Sequence, residues 1–464
     1  MSISVFFILL FLIVGNDLFA GKAKSTRKLC QYFFVLRLIL ELNFSIGYAV
    51  RIADMEISYD SIVSFILTLL SILLIIQQRK VSKRAISIGG ALILSVVLGL
   101  ILAEIHPYKG NVIRQLSSWD QEMQGNDARS MIEGVGQKNF LEFFNLVKWL
   151  IVAIVIRKLF IDREELFSAI SIILNVSMLM IGCGYFEFFC ENILHTDLLK
   201  QFLTFIFGSI HDVDKLGDTR IQGMMLEPSY YSYAAFQLSL LSICRLGMLK
   251  EKKQHEKYRY AAIIVIMLLS RSFSSIMYLI LSLFTYGWFV LGKNKIKLFF
   301  KKAVYAIPAT LIVCVTIGAI MWKVNGESLN YFWGRIQRLS ALINRVIKTG
   351  SYDIFNSSSE AVRLLSILES LSIFGARPIL GLGIGFVECH STIISLLVSC
   401  GVIGTILWFM LVASSSVWKH SNKTIYIIYI ISNFFIGSIG FLYSTVYLFV
   451  CLSYSAFYGK AAAQ

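Results

Sequence analysis

The chain has 464 residues, of which 57% are hydrophobic and 15% charged, and its mean hydropathy is +0.72. Apolar runs near the ~20 residues needed to cross a bilayer recur from end to end, which excludes an independent soluble domain. The net charge of +15 does not point to nucleic acid, because Lys and Arg cluster in short connections between the apolar runs, the positive-inside pattern of a polytopic membrane protein.

The first apolar run, 3–20, lacks a basic segment ahead of it and heads a series of similar runs, so it reads as a transmembrane helix rather than a cleaved signal. Basic connections follow at GKAKSTRK (21–28), RKVSKR (79–84), RKLFIDRE (157–164), KEKKQHEKYR (250–259), KNKIKLFFKK (293–302) and WKHSNK (418–423). If all six are cytoplasmic, an even number of crossings separates each consecutive pair. Spans at 29–50 with 60–77, 85–105 with 141–156, 167–188 with 229–246, and 303–321 with 391–412 supply them. The run 261–291 has basic clusters at both ends and therefore holds two short helices. Their break falls at SRSFSS (270–275), where serines satisfy freed backbone groups and Arg271 stands at the outer end of a hairpin. The last run, 424–458, reads as a bent pair around Gly437 and Gly440. The expectation is an all-α, polytopic helix bundle forming a single transmembrane domain over 1–464, with about 12 to 14 transmembrane helices.

Within the spans, Arg37 and Glu41 stand four apart and read most simply as an internal ion pair with a packing role, a role near a lipid carrier being the alternative. Tyr230, Tyr231 and Tyr233 read mostly as lipid-facing or interfacial filler, with sugar stacking as the alternative. The cysteines sit mostly inside apolar runs with no CxxC pair, and they read as packing residues. Cys389 and His390 are adjacent, so their side chains diverge and do not suit a thiolate–imidazole pair. No HExxH, carboxylate cluster or P-loop appears, so neither a metal nor a nucleotide cofactor is expected.

Three outer segments are long: 104–140, 187–228 and 322–390, the last being a large loop between two late spans. Within it Phe332, Ile336, Leu339, Ile343 and Val346 form one helical stripe, with Arg338 and Arg345 on another face. Two readings stay open there: an amphipathic helix on the membrane surface, or a loop helix packed on the bundle.

Candidate chemistry lies where outer segments meet spans. RIQGMMLEPSYYSY (220–233) sets Arg220 and Glu227 at a bilayer mouth, with Tyr230 just behind. Ser270-Arg271 interrupts an apolar stretch, and RPILGLGIGFVECHS (377–391) leads into another span. Arginine stays charged when partly buried and grips phosphate bidentately, so this set suits an enzyme acting on a charged, membrane-anchored substrate. Structural alternatives stand beside it. Glu227 pairs with Arg220 or caps the following helix, and His390 satisfies a backbone carbonyl.

These segments resemble the bacterial O-antigen polymerases (Wzy) and the related O-antigen ligases. The resemblance rests on Arg220, Gly223, Glu227 and Pro228; on Ser270-Arg271; on Arg363 followed by Pro378, Gly381 and Gly383; and on His390 ahead of Gly401 and Gly404. Ligases of the family commonly show Asn after the His, where this chain has Ser391. The resemblance implies an inner-membrane, inverting glycosyltransferase working at the periplasmic face. It implies Arg220, Arg271 and Arg363 as a diphosphate clamp, with His390 or Glu227 taking the acceptor proton. Arg338, Arg345, Arg377 and Tyr230 are further candidate contacts. The implied partners are an undecaprenyl-diphosphate-linked oligosaccharide, the lipid bilayer and a chain-length regulator. A flippase for the same lipid is the competing class, although no internal repeat of the kind common in transporters appears.

Overall fold

The computed structural model describes residues 25–43, 49–52, 55–78, 82–108, 111–113, 129–131, 135–196, 198–199, 201, 221, 223, 225, 228–249, 253–270, 272–291, 334, 337, 341, 359–387, 389, 391–416, 423–434 and 444–458. The first half contains α1 (Thr26–Asn43), α2 (Tyr59–Gln78), α3 (Lys83–Ile105), α4 (Gln137–Leu159) and α5 (Arg163–Asn192). Then come α6 (Pro228–Met248), α7 (Lys253–Leu269), α8 (Phe273–Tyr286) with a π-helical turn at Gly287–Leu291, α9 (Ser359–Ala376), α10 (Thr392–Ser416), α11 (Lys423–Ser432) and α12 (Thr445–Tyr458). By length and composition α2, α3, α4, α5 and α10 are each able to cross a membrane. The expected spans 3–20 and 303–321, and the amphipathic stretch 332–348 apart from three isolated positions, lie outside the described residues.

Two antiparallel hairpins interrupt the helical pattern. β1 (Ala49–Ile52) pairs with β2 (Met55–Ser58), Ala49 opposite Ser58, and β3 (Asn111–Ile113) pairs with β4 (Arg129–Met131). The first hairpin corrects the expected span 29–50: the helix stops at Asn43, whose amide donates back to the Ile39 carbonyl at 2.7 Å and to Ser177 at 2.9 Å.

Burial is inverted relative to a soluble protein. α1, α6 and α12 are buried nearly all round, with Phe34, Leu38, Phe236, Leu240, Phe449 and Leu452 each at 1% exposure or less. The helices around them keep apolar outer faces: Phe65 59% and Ile76 65% on α2, Phe144 62% on α4, Leu179 59% on α5. An apolar surface of this extent is a liability in water and natural in lipid, and the chain is a helical, multi-pass membrane bundle.

The described residues of three basic connections, 21–28, 157–164 and 250–259, meet at one end. Glu165 accepts from Arg27 at 2.8 and 2.9 Å, from Lys28 at 2.7 Å and from the Ile161 N–H at 3.2 Å, tying the start of α1 to the α4–α5 connection. Arg163 stacks on Phe457 at the end of α12, Arg245 on Phe167, and the Tyr458 hydroxyl donates to the Ile243 carbonyl at 3.0 Å. Glu256 there accepts Arg245 and Arg259 as ion-pair partners at 3.3 and 3.2 Å.

At the opposite end the expected Arg37–Glu41 pair is replaced by two longer-range contacts. Glu41 receives the N-terminus of α12, accepting from the Thr445 N–H at 3.1 Å, the Thr445 hydroxyl at 2.7 Å and the Ser444 hydroxyl. A carboxylate is favourable at that helix terminus. Arg37 turns to Ser64 at 2.7 Å and to Asp60 at 3.6 Å on α2.

Candidate functional site

The described parts of the segments singled out in the sequence fall in two places at this second end. In the first, α5 passes beside the segment preceding α6. Glu187 on α5 is 5% exposed and accepts the Gly223 N–H at 2.5 Å. Gly223 has φ +55, and a Cβ there would run into the Tyr231 ring; the same ring fills the space that a Cβ at Gly184 would need. Tyr231 is thus fully buried, its hydroxyl donating to the Met180 carbonyl at 3.3 Å, and Tyr233 is 3% exposed. Both depart from the lipid-facing role expected of them, because two glycines and α8 make room inside the bundle. Tyr233 packs on Tyr278 of α8 with ring centroids 5.5 Å apart.

Pro228 opens α6, where its missing N–H costs nothing, and its carbonyl accepts from Ser232 at 2.7 Å. The Ser232 hydroxyl lies 3.0 Å from that of Ser270, so the first turn of α6 abuts the α7–α8 break. The break is built as expected. Ser270 and Ser275 donate to the Met267 carbonyl at 2.8 and 2.5 Å, and Ser272 is the N-cap residue of α8. Ser270 and Ser272, which bracket Arg271, are 0% and 4% exposed.

The second place is a break in α10. Gly401 has φ +63 in mid-helix, and the backbone bonds from Val402 to Val398 and from Ile403 to Ser399 are replaced. The loop 378–383 lies in the gap. Pro378 and Ile379 offer their carbonyls to the N–H groups of Val402 (2.8 Å) and Ile403 (3.3 Å), while Leu382 and Gly383 donate to the carbonyls of Val398 (2.8 Å) and Ser399 (3.0 Å). Two helical bonds are exchanged for four between loop and helix, so the interruption leaves these groups satisfied, as membrane-depth backbone requires. Gly381, at φ +72, sits where a Cβ would meet the Val398 carbonyl at 2.5 Å. Further along the loop, Asn139 at the start of α4 donates to the Ile384 carbonyl at 2.7 Å and accepts the Gly136 N–H at 2.9 Å.

Of the residues named from sequence, Arg220, Glu227, Arg271, Arg338, Arg345 and His390 lie outside the described residues. Arg363 falls on α9, its side chain likewise outside them. Arg377 ends α9 and donates to the His106 carbonyl at the C-cap of α3. Tyr230 is half-buried in the first turn of α6. Burial pushes the Cys389 thiol above its usual range, which disfavours a thiolate there. Ser395 instead holds its backbone, accepting the Cys389 N–H and lying 3.2 Å from its carbonyl. Among the described residues no group of three His, Cys, Asp or Glu is placed to hold a metal ion.

Glu187 is the member that sequence reasoning passed over. Its signal was legible, since a lone carboxylate within GYFEFFC at the end of a span is costly to bury without a task. Glu187→Gln keeps an acceptor for Gly223 and is expected to fold normally. Glu187→Leu strands that buried N–H at a cost of about 1–3 kcal/mol, which thermal unfolding in detergent will register; equal melting of the two variants would contradict the pinning role.

Compared with protein families and with curated proteins, the chain matches none.

Proposed function

We propose that the chain is an O-antigen polymerase, a metal-independent inverting glycosyltransferase of the bacterial inner membrane with about 12 to 14 transmembrane helices and its active site at the periplasmic face. In this reading it elongates an oligosaccharide carried on undecaprenyl diphosphate. The supporting observation is that segments carrying the family resemblance adjoin in pairs, the first turn of α6 with the α7–α8 break through Ser232 and Ser270, and the 378–383 loop with the broken α10. They do so at the end away from the basic connections.

The chemistry follows from the residue types. The acceptor hydroxyl attacks the anomeric carbon from the face opposite the diphosphate, the carbon–oxygen bond to phosphate breaks, and the diphosphate leaves with the electron pair. Arg220, Arg271 and Arg363 meet the growing phosphate charge. The hydroxyl proton passes to His390 or Glu227, and proton removal of this kind contributes roughly a hundredfold to ten-thousandfold. Arg338, Arg345 and Arg377 of the 322–390 loop are further substrate contacts in this reading.

Deleting the chain from its cell and resolving the lipopolysaccharide by gel tests this reading. A single repeat unit on each core is the expected result. Bare core would move the assignment to a ligase or flippase, and an unchanged ladder would remove it from the pathway.

A further inference from the structure

A charged group within the bundle plays no part in the proposed reaction. On α4, Glu142, Asn145 and Lys148 recur every third residue, and from Trp149 the helix is apolar until Arg157. Lys148 is the twelfth residue of α4, about 16 Å from its start and so near mid-membrane. It lies within electrostatic reach of Arg37, Asp60 and Glu142 but makes no hydrogen bond or ion pair among the described residues. Arg37 is 8% exposed, and its buried Nε has no hydrogen-bond acceptor. The nearest, Asp60 Oδ1, stands 3.6 Å away, is buried too, and also lacks a hydrogen-bond partner. Glu41, one turn along α1, is committed to the N-terminus of α12.

Intramembrane charges are expensive and generally mark a substrate or ion path. A through-path does not fit. Below the group, Phe34 and Cys30 of α1, Leu67 and Leu74 of α2, and Trp149, Val152 and Ile156 of α4 are at most 2% exposed, and the two buried hydroxyls at that level are taken, Thr68 by the Ser64 carbonyl at 2.7 Å and Ser71 by Cys30 Sγ at 3.6 Å. The cluster is a dead end reached from the side of the candidate site, with Asn145 and Lys148 half-buried and Asp60 33% exposed. Its charges select the ligand. A phosphate would face Asp60 and Glu142, and a cation would face Arg37 and Lys148. A hydroxyl group both accepts from guanidinium or ammonium and donates to carboxylate, so several on one ring satisfy the set without net charge.

We propose that the notch between α1, α2 and α4, lined by Arg37, Asp60, Ser64, Asn145 and Lys148, binds an uncharged, hydroxyl-rich sugar ring. The inference deepens the proposed function by giving the acceptor glycan a subsite, and it rests on that reading for the source of the sugar.

The test is photo-crosslinking of the full-length protein in its own cell, with p-benzoylphenylalanine placed at Asn145 and, in a second strain, at Ser61. Both variants are checked for monodisperse extraction, and the adducts are identified by mass spectrometry. A saccharide-bearing adduct is expected, its yield falling at least tenfold with Lys148→Met. A phospholipid adduct, a polyprenyl phosphate without sugar, or no adduct from either folded variant would overturn the site. A sugar adduct alongside an unchanged polysaccharide ladder in the deletion strain would instead retain the site and remove the polymerase reading. A ladder defect without an adduct would do the opposite.

Discussion

Arg271→Ala is expected to abolish glycan polymer while leaving the protein inserted and extractable at wild-type levels. Ser270 and Ser272 are buried on either side of it, and the hydroxyls of Ser270 and Ser275 both donate to the Met267 carbonyl near the end of α7. A break supported by these serines is expected to survive loss of the arginine. Removing one preorganised group that meets transition-state charge typically costs 10²- to 10³-fold in rate. Arg271→Lys is expected to be impaired as well, since a point charge does not reproduce a bidentate fork. The readout is the polysaccharide ladder together with turnover of purified protein. A full-length ladder from well-expressed Arg271→Ala would take this residue out of the site.

Gly401→Ala is expected to give the largest loss of stability. The left-handed backbone costs an L-residue about 1–2 kcal/mol, and the new methyl would press on the Ile379 carbonyl and the Leu380 nitrogen, both backbone atoms held by the loop–helix exchange. With overpacking added, a total of ~3 kcal/mol or more follows. Gly381→Ala meets the same interlock from the loop side. Gly375→Ala on α9 is the control, because nothing lies within 4 Å of its added Cβ. Thermal unfolding in detergent should separate the first two sharply from the third. A Gly401→Ala protein melting with the Gly375→Ala control would mean that α10 runs through this point unbroken.

Much of the bundle was legible from apolar run lengths and basic connections, because these are local properties of the chain. The pairing of 261–291 into two short helices followed from parity alone, and α7, α8 and their serine-rich break bear it out. In the 377–391 segment singled out from sequence, Gly381, Gly383 and Gly385 take positive φ. Their partner was not legible, since the exchange with Val398, Ser399, Val402 and Ile403 needs α10 to be laid beside a loop whose path no pattern specifies. Glu187 carried a signal as an intramembrane carboxylate, but its contact with the Gly223 N–H was not legible, since a backbone N–H has no sequence signature.

Composition and periodicity by themselves determined that this is a membrane helix bundle and where its connections are basic. Such features depend on residue type and near neighbours, and transfer from water to lipid acts on each run almost independently. Only the tertiary structure decided who meets whom: Arg37 with Asp60 and Ser64 rather than Glu41, Glu41 with the start of α12, and Tyr231 buried against two glycines rather than facing lipid. A buried polar group takes whichever partner packing brings within about 3 Å, and that distance is set by helices far apart in sequence.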